Sequence, residues 1–188
     1  MQREADARRL LVWDAMREWS REGRVIAVPS LRELHQLIVA DIRCPAEAFA
    51  VGYTGRVTPA AFESFCGMAW AWIRAPAPEP AVLVSEELAD VTNPGKAPFY
   101  WGQIVREGRH YPSRVYGLTQ RPAESDTTIA GNADVIHAGR QTRPRDRKTM
   151  AEYLDVPVTQ VAGLTNLHFI ERDLRTGALA RGKITFKH

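Results

Sequence analysis

Short, unbroken apolar runs alternate with helix-forming stretches along most of this chain. No other feature restricts its fold as much. The runs are Leu10–Trp13, Val25–Val28, Ala48–Tyr53, Ala81–Val84 and Arg114–Thr119. Continuous apolar strands suit a sheet covered on both faces, which in practice means parallel strands joined through helices. The intervening stretches carry helix signals. Ser30 is placed to cap a helix, with Glu33 three residues on, and Leu31, Leu34, Leu37 and Ile38 recur at helical spacing. Thr58-Pro59 is a cap followed by proline at the first helical position, and Phe62, Phe65, Cys66, Ala69, Trp70 and Ile73 follow on one face. Of the two tryptophans there, Trp70 fits the buried face. The segment Ala75-Pro-Ala-Pro-Glu-Pro80 cannot be helix interior and connects into the Ala81 strand.

Elsewhere Gln2–Arg8 reads as the end of a helix and Arg17–Gly23 as a polar connection. Pro98–Gly108 reads as a helix, Ala133–His137 as a strand, Arg140–Lys148 as a basic loop and Thr149–Leu154 as a short helix. Leu167–Glu171 and Lys183–Phe186 read as a hairpin around Arg175-Thr-Gly177. The expectation is an α/β fold: a mostly parallel sheet flanked by helices, with an antiparallel C-terminal β-hairpin at its edge. At 188 residues the chain suits one well-cored domain better than two.

Composition excludes few partners. Charged residues make up 25% and the net charge is +3, which permits a polyanionic partner without requiring one. Lysine occurs only at 96, 148, 183 and 187, so arginine carries most of the positive charge. Cys44 and Cys66 form neither a metal pattern nor a disulfide framework, which favours a reducing compartment. Gln2–Arg9 is too charged for a signal peptide, and no apolar run approaches a membrane span; Phe65–Ile73 is the longest and is too short.

The chemistry concentrates in two places. Ala81-Val-Leu-Val-Ser-Glu-Glu-Leu-Ala-Asp90 is an apolar strand ending in adjacent carboxylates, Glu86 and Glu87. Phosphoryl transfer to water needs a metal to neutralise charge and a group to orient the attacking water. Paired acids at a strand end can serve both needs, although carboxylates also favour a helix N-terminus for structural reasons. Gly117-Leu-Thr-Gln-Arg-Pro-Ala-Glu124 is a strand ending in a polar pair, with proline breaking the continuation. Thr119 or Gln120 could hydrogen-bond a water or a terminal phosphate. One helix between the two strands would bring Glu87 and Gln120 to the same end of a parallel sheet, where open α/β folds form their ligand crevice.

The first segment resembles the Walker B strand of the FtsK–HerA superfamily of DNA-translocating P-loop ATPases, and the second resembles that superfamily's sensor strand. Leu11-Val-Trp-Asp14 is similar to the strand that follows the P-loop helix, where the family places an acid. Glu107-Gly-Arg-His-Tyr111 resembles phage-type members, which include packaging ATPases and zonula occludens toxin-like assembly proteins. The resemblance covers roughly residues 1–140. It implies a RecA-like core that begins at its second strand, here one partial domain over 1–188. It also implies ATP and Mg2+ as cofactors, with Glu86 in the metal's outer shell, Glu87 polarising water, Gln120 sensing the γ-phosphate, and Thr119 and Asp14 on the nucleotide.

Two departures matter. Glu86 stands where the family more often has aspartate. The phosphate loop G-x-x-x-x-G-K-[ST] occurs nowhere in the 188 residues, and Lys96, in Asn93-Pro-Gly-Lys96, has no such frame. The resemblance therefore implies a motor core for DNA translocation or packaging in a phage or mobile element that is inactive by itself. The alternative is a non-hydrolysing ATPase-fold protein acting in DNA binding or virion assembly, and a DNA-binding module unrelated to ATP is a further rival. Family members work as rings, usually hexamers, in which a neighbour supplies an arginine. Arg106, Arg109, Arg121 and Arg140 are the candidates. Arg143, Arg145, Arg147 and Lys148 are candidate contacts to double- or single-stranded DNA. The expected location is the bacterial host cytoplasm or the virion. An edge exposed beside Leu11–Trp13 by the absent first strand would invite pairing with another chain.

Overall fold

The computed structural model describes residues 7–185. The expected helix end at Gln2–Arg8 lies almost wholly outside the described residues. Five strands form a parallel sheet: β1 (Arg9–Trp13), β2 (Ile26–Val28), β3 (Phe49–Tyr53), β4 (Ala81–Ser85) and β5 (Ser113–Gly117), in the order β2-β3-β1-β4-β5. The register sets Trp13 beside Tyr53 and Ser85, and Ser85 beside Gly117, so the strands end nearly level. This fold class agrees with the alternation read from the sequence.

β1 is buried along its whole length between β3 and β4. The edge beside Leu11–Trp13 that would invite pairing with another chain is therefore closed. Among the described residues the sheet edges are β2 and β5. A strand with apolar residues on both faces gains most from the sheet centre, where helices cover both sides.

The helices follow their signals with some corrections. The Ser30 hydroxyl accepts the N–H groups of Arg32 and Glu33 at the start of α2 (Leu31–Arg43), after a four-residue α1 (Glu18–Arg21). Thr58 caps α3 (Pro59–Arg74) through the Ala61 N–H. On α3 it is Trp72 that is fully buried, while Trp70 is half-buried against Tyr111 at 5.5 Å, the reverse of the expectation. The choice falls to Trp72 because its indole N–H finds the buried Asp41 carboxylate at 2.7 Å. Arg9 completes that group: it donates to the Trp72 carbonyl at 2.7 Å and lies 3.6 Å from Asp41. Trp13, Tyr53, Phe62 and Phe65 pack beside it, with Trp13 ring centroids 5.0–5.3 Å from the other three. Each such buried side chain contributes roughly 2–3 kcal/mol.

After β4 come α4 (Leu88–Val91) and α5 (Phe99–Glu107), then a short 3-10 turn, Gly108–His110, leading into β5. Beyond β5 the chain forms α6 (Thr128–Asn132), β6 (Val135–Ala138), α7 (Pro144–Leu154), α8 (Val158–Ala162), β7 (His168–Asp173) and β8 (Leu179–Lys183). β6, β7 and β8 make a separate antiparallel sheet with its own apolar cluster around Ile136, Met150, Leu154, Val161 and Ile170. The hairpin thus belongs to this second sheet and not to the edge of the parallel one. Its second strand runs earlier than expected, and Phe186 lies outside the described residues. The basic run is not all loop, since Pro144 opens α7 and puts Arg145, Arg147 and Lys148 on a helix.

Candidate functional site

The level ends of β4 and β5 carry Glu86 and Leu118 into one crevice, and Asp14, at the end of β1, lies buried behind it. Backbone bonds extend the ladder past the strands: the Glu86 N–H donates to the Trp13 carbonyl at 3.2 Å, and the Leu118 N–H to the Ser85 carbonyl at 2.9 Å. A cavity of about 280 Å³ opens there, walled by Trp19, Glu22, Arg24, Glu86, Glu87 and Gln120, among others.

The two glutamates occupy different environments. Glu86 is buried at 6% exposure. Its Oε1 accepts the Trp19 indole N–H at 2.9 Å and its Oε2 accepts the Met16 N–H at 3.3 Å. Burial pushes its carboxyl up to about 7; the Met16 and Trp19 donors pull the other way, and Asp14 and Glu18 add repulsion. Glu86 is therefore not a solvated acid at a helix start.

Glu87 is partly exposed and sits in left-handed backbone at φ 47° and ψ 54°, where it starts α4 without a side-chain cap bond. Non-glycine residues rarely hold that conformation, and it recurs at functional positions. Its Oε2 accepts the Gln120 backbone N–H at 3.4 Å, which brings the sequence's two chemical segments together.

Asp14 is fully buried, and its two oxygens accept the N–H groups of Trp19 at 3.2 Å and Ser20 at 3.0 Å. It anchors α1 and so presents Trp19 to Glu86. Sequence reading missed Trp19 because the segment was read as a polar connection. A lone tryptophan within a charged stretch, five residues after a strand-terminal acid, was the available signal. Thr119 accepts the Arg121 N–H at 3.1 Å through its hydroxyl and shapes the turn after Leu118.

The cations divide into groups. Arg106 and Arg109 precede the N-terminal end of β5, at the opposite end of the sheet from Glu87. Arg140 donates to the Asn166 side chain at 2.8 Å, and Arg147 to the carbonyls of Gln141 and Thr142 at 2.9 and 2.6 Å. Arg121 and Arg143 meet at Glu124, Arg121 on Oε2 at 3.3 Å and Arg143 on Oε1 at 2.5 Å. Those bonds, Arg143's first, hold the Glu124 carboxyl below its usual range. Arg145 and Lys148 are exposed and have no hydrogen bond or ion pair among the described residues.

Among the described residues no three His, Cys, Asp or Glu side chains converge as metal ligands. Each Glu86 oxygen already accepts one N–H donor. No helix among them is long and apolar enough to cross a membrane.

No family model matches the chain. It is 32% identical over 163 residues to Protein P9 of Pseudoalteromonas phage PM2, a match spanning 85% of this chain and 69% of that protein. Its fold is similar to that of the genome packaging NTPase B204 from Sulfolobus turreted icosahedral virus 2 in complex with AMPPCP. That likeness has a TM-score of 0.73 at 17% identity and covers 97% of this chain and 86% of B204. The bacterial conjugative coupling protein TrwB is also similar, with a TM-score of 0.61 at 13% identity, over 82% of this chain and 44% of TrwB. Sequence shared across most of both proteins places this chain in the family of the phage PM2 protein P9, on a fold shared with B204 and TrwB.

Proposed function

We propose that residues 1–188 act as one partial P-loop ATPase-like domain of a DNA translocation or packaging motor in a phage or mobile element. The observation that carries this reading is the contact between Glu87 and the Gln120 N–H at the C-terminal ends of adjacent parallel strands. That is where a reacting phosphate would have to sit to meet both groups. The relatives support the direction: B204 is described as a genome packaging NTPase and forms complexes with AMPPCP and with ATP-gammaS.

ATP and Mg2+ would supply the phosphoryl group and the neutralising charge. Glu87, partly exposed on the crevice wall, polarises the attacking water, and Gln120 and Thr119 face the terminal phosphate. Glu86 would act through water toward a bound metal, with Asp14 behind it as the anchor of α1. Copies of the chain assemble as a ring, and a neighbour contributes Arg109, Arg121 or Arg140. DNA is met by exposed cations of the 143–148 segment, in the host cytoplasm or the virion.

A second reading has its own support: a non-hydrolysing ATPase-fold protein in DNA binding or assembly. The 188 residues contain no G-x-x-x-x-G-K-[ST], and both Glu86 oxygens are already engaged. One measurement separates the two. This polypeptide alone is expected to show negligible ATP turnover, and robust turnover abolished by Glu87→Gln would refute that. If the genome supplies the phosphate loop in frame upstream of Met1, the extended protein should hydrolyse ATP and Glu87→Gln should remove at least about a hundredfold of the rate. An extended protein whose turnover is indifferent to Glu87→Gln would sink the proposed role of Glu87.

A further inference from the structure

The meeting of Arg121 and Arg143 on one carboxylate suggests a site that neither arginine indicates alone. We propose that Arg121 and Arg143 form a phosphate-binding site that Glu124 occupies as an internal stand-in for the ligand. The choice of phosphate rests on the reading of the chain as a nucleic-acid-handling ATPase domain.

The geometry is that of a bridged anion. The two guanidinium groups come from different parts of the fold, Arg121 from the loop after β5 and Arg143 from the residue preceding α7. They take different oxygens of Glu124, at 3.3 and 2.5 Å. A phosphate presents the same spaced, charged acceptors, with more oxygens and at least as much negative charge. Two arginines on one carboxylate leave the trio with an excess of one positive charge, so an anion is still attracted. All three side chains are more than a third exposed, at 56%, 53% and 38% for Arg121, Arg143 and Glu124. A ligand can therefore reach them.

The backbone that carries the arginines is also fixed before any ligand arrives. Asp146, on the first turn of α7 and 2% exposed, accepts the Ala123 N–H at 3.1 Å. Asp126, at the far end of the same loop, accepts the Trp101 indole N–H at 2.8 Å. These buried bonds join the loop to α7 and α5 whether or not Glu124 holds the arginines. Displacing Glu124 would thus cost an exposed ion pair and leave the frame intact. Gln120, next to Arg121, touches Glu87, so a phosphate bound here lies one residue from the crevice.

The phosphate could belong to a nucleic-acid backbone or to a polyphosphate such as a nucleotide tail. Glu124→Gln keeps the shape and removes the competing charge. Its affinity for a short DNA duplex and for inorganic tripolyphosphate is to be measured against the parent chain, with Glu47→Gln, an exposed carboxylate elsewhere, as control for net charge. The expected result is about tenfold tighter binding in Glu124→Gln and little change in Glu47→Gln, with the gain lost in Glu124→Gln/Arg121→Ala/Arg143→Ala. A gain for the duplex alone assigns a backbone phosphate, and a gain for tripolyphosphate alone assigns a nucleotide tail. No gain for either, an equal gain in Glu47→Gln, or a gain that survives loss of both arginines overturns the site. Salt-sensitive duplex binding that Glu124→Gln leaves unchanged would overturn this inference and leave the motor reading standing. A chain that binds no duplex would count against that reading, while the tripolyphosphate arm still decides the site.

Discussion

Glu86 and Glu87 are neighbours in sequence and opposites in environment, because successive residues at a strand end leave on different faces. Glu86 turns into a pocket closed by Trp19 and Asp14 and stays largely protonated up to about pH 7. The sign of its effect on stability follows from linkage. Its folded pKa is raised above the unfolded value of 4.5, so its contribution is fully present below pH 4.5 and is lost as pH rises through about 7. Urea denaturation should show Glu86→Gln gaining on the parent over that window, by on the order of 3 kcal/mol at pH 8. Parallel pH profiles for the two proteins would refute the buried assignment. Glu87 holds left-handed backbone that glycine adopts without strain. Glu87→Gly should therefore raise stability by roughly 0.5–1 kcal/mol while removing the crevice carboxylate. A destabilised Glu87→Gly protein in thermal denaturation would show that the side chain contributes more through its Gln120 contact than the backbone loses.

At the scale of elements, α2, α3 and β1 are joined by a polar group inside an otherwise apolar layer. Asp41 of α2 accepts the Trp72 indole N–H and the Ala46 N–H and pairs with Arg9 of β1. Removing one member of a buried ion pair leaves an uncompensated charge, which costs more than the pair contributed. Asp41→Ala should lower unfolding free energy by about 3–5 kcal/mol in urea titration. A loss below about 1 kcal/mol would mean that water reaches Arg9 in the folded state. The same element pairing explains the reversal of Trp70 and Trp72. Helical periodicity placed Trp70 on the apolar stripe, but a tryptophan with a polar N–H is buried most readily where an acceptor waits. That acceptor is on α2, beyond any pattern within α3.

For the whole molecule, the parallel sheet and the second, antiparallel sheet divide the chemistry. The parallel sheet brings the acidic crevice to its strand ends, and the second unit holds α7 with its basic first turns. Arg147 is engaged with loop carbonyls, so a DNA contact would fall to Arg145 and Lys148, joined by Arg143 where the phosphate displaces Glu124. With three such contacts, log affinity for duplex DNA should fall against log salt with a slope of about −3. Fluorescence anisotropy across a salt series measures it, and affinity indifferent to salt would rule out phosphate contacts by this segment.

Several of these features were legible in the sequence, for local reasons. Unbroken apolar runs specify buried strands, Ser30 and Thr58-Pro59 specify helix starts, and Glu87 and Gln120 fall at strand ends whose parallel pairing brings them together. Each depends on spacing along the chain. The position of β1 at the sheet centre, the departure of the hairpin into a second sheet, the closure of Trp19 over Glu86 and the sharing of Glu124 by Arg121 and Arg143 were decided only in three dimensions. Strand order and side-chain partners arise from contacts between residues distant in sequence. Buried polar groups such as Asp41, Asp146 and Glu86 take whichever acceptors and donors packing brings within reach.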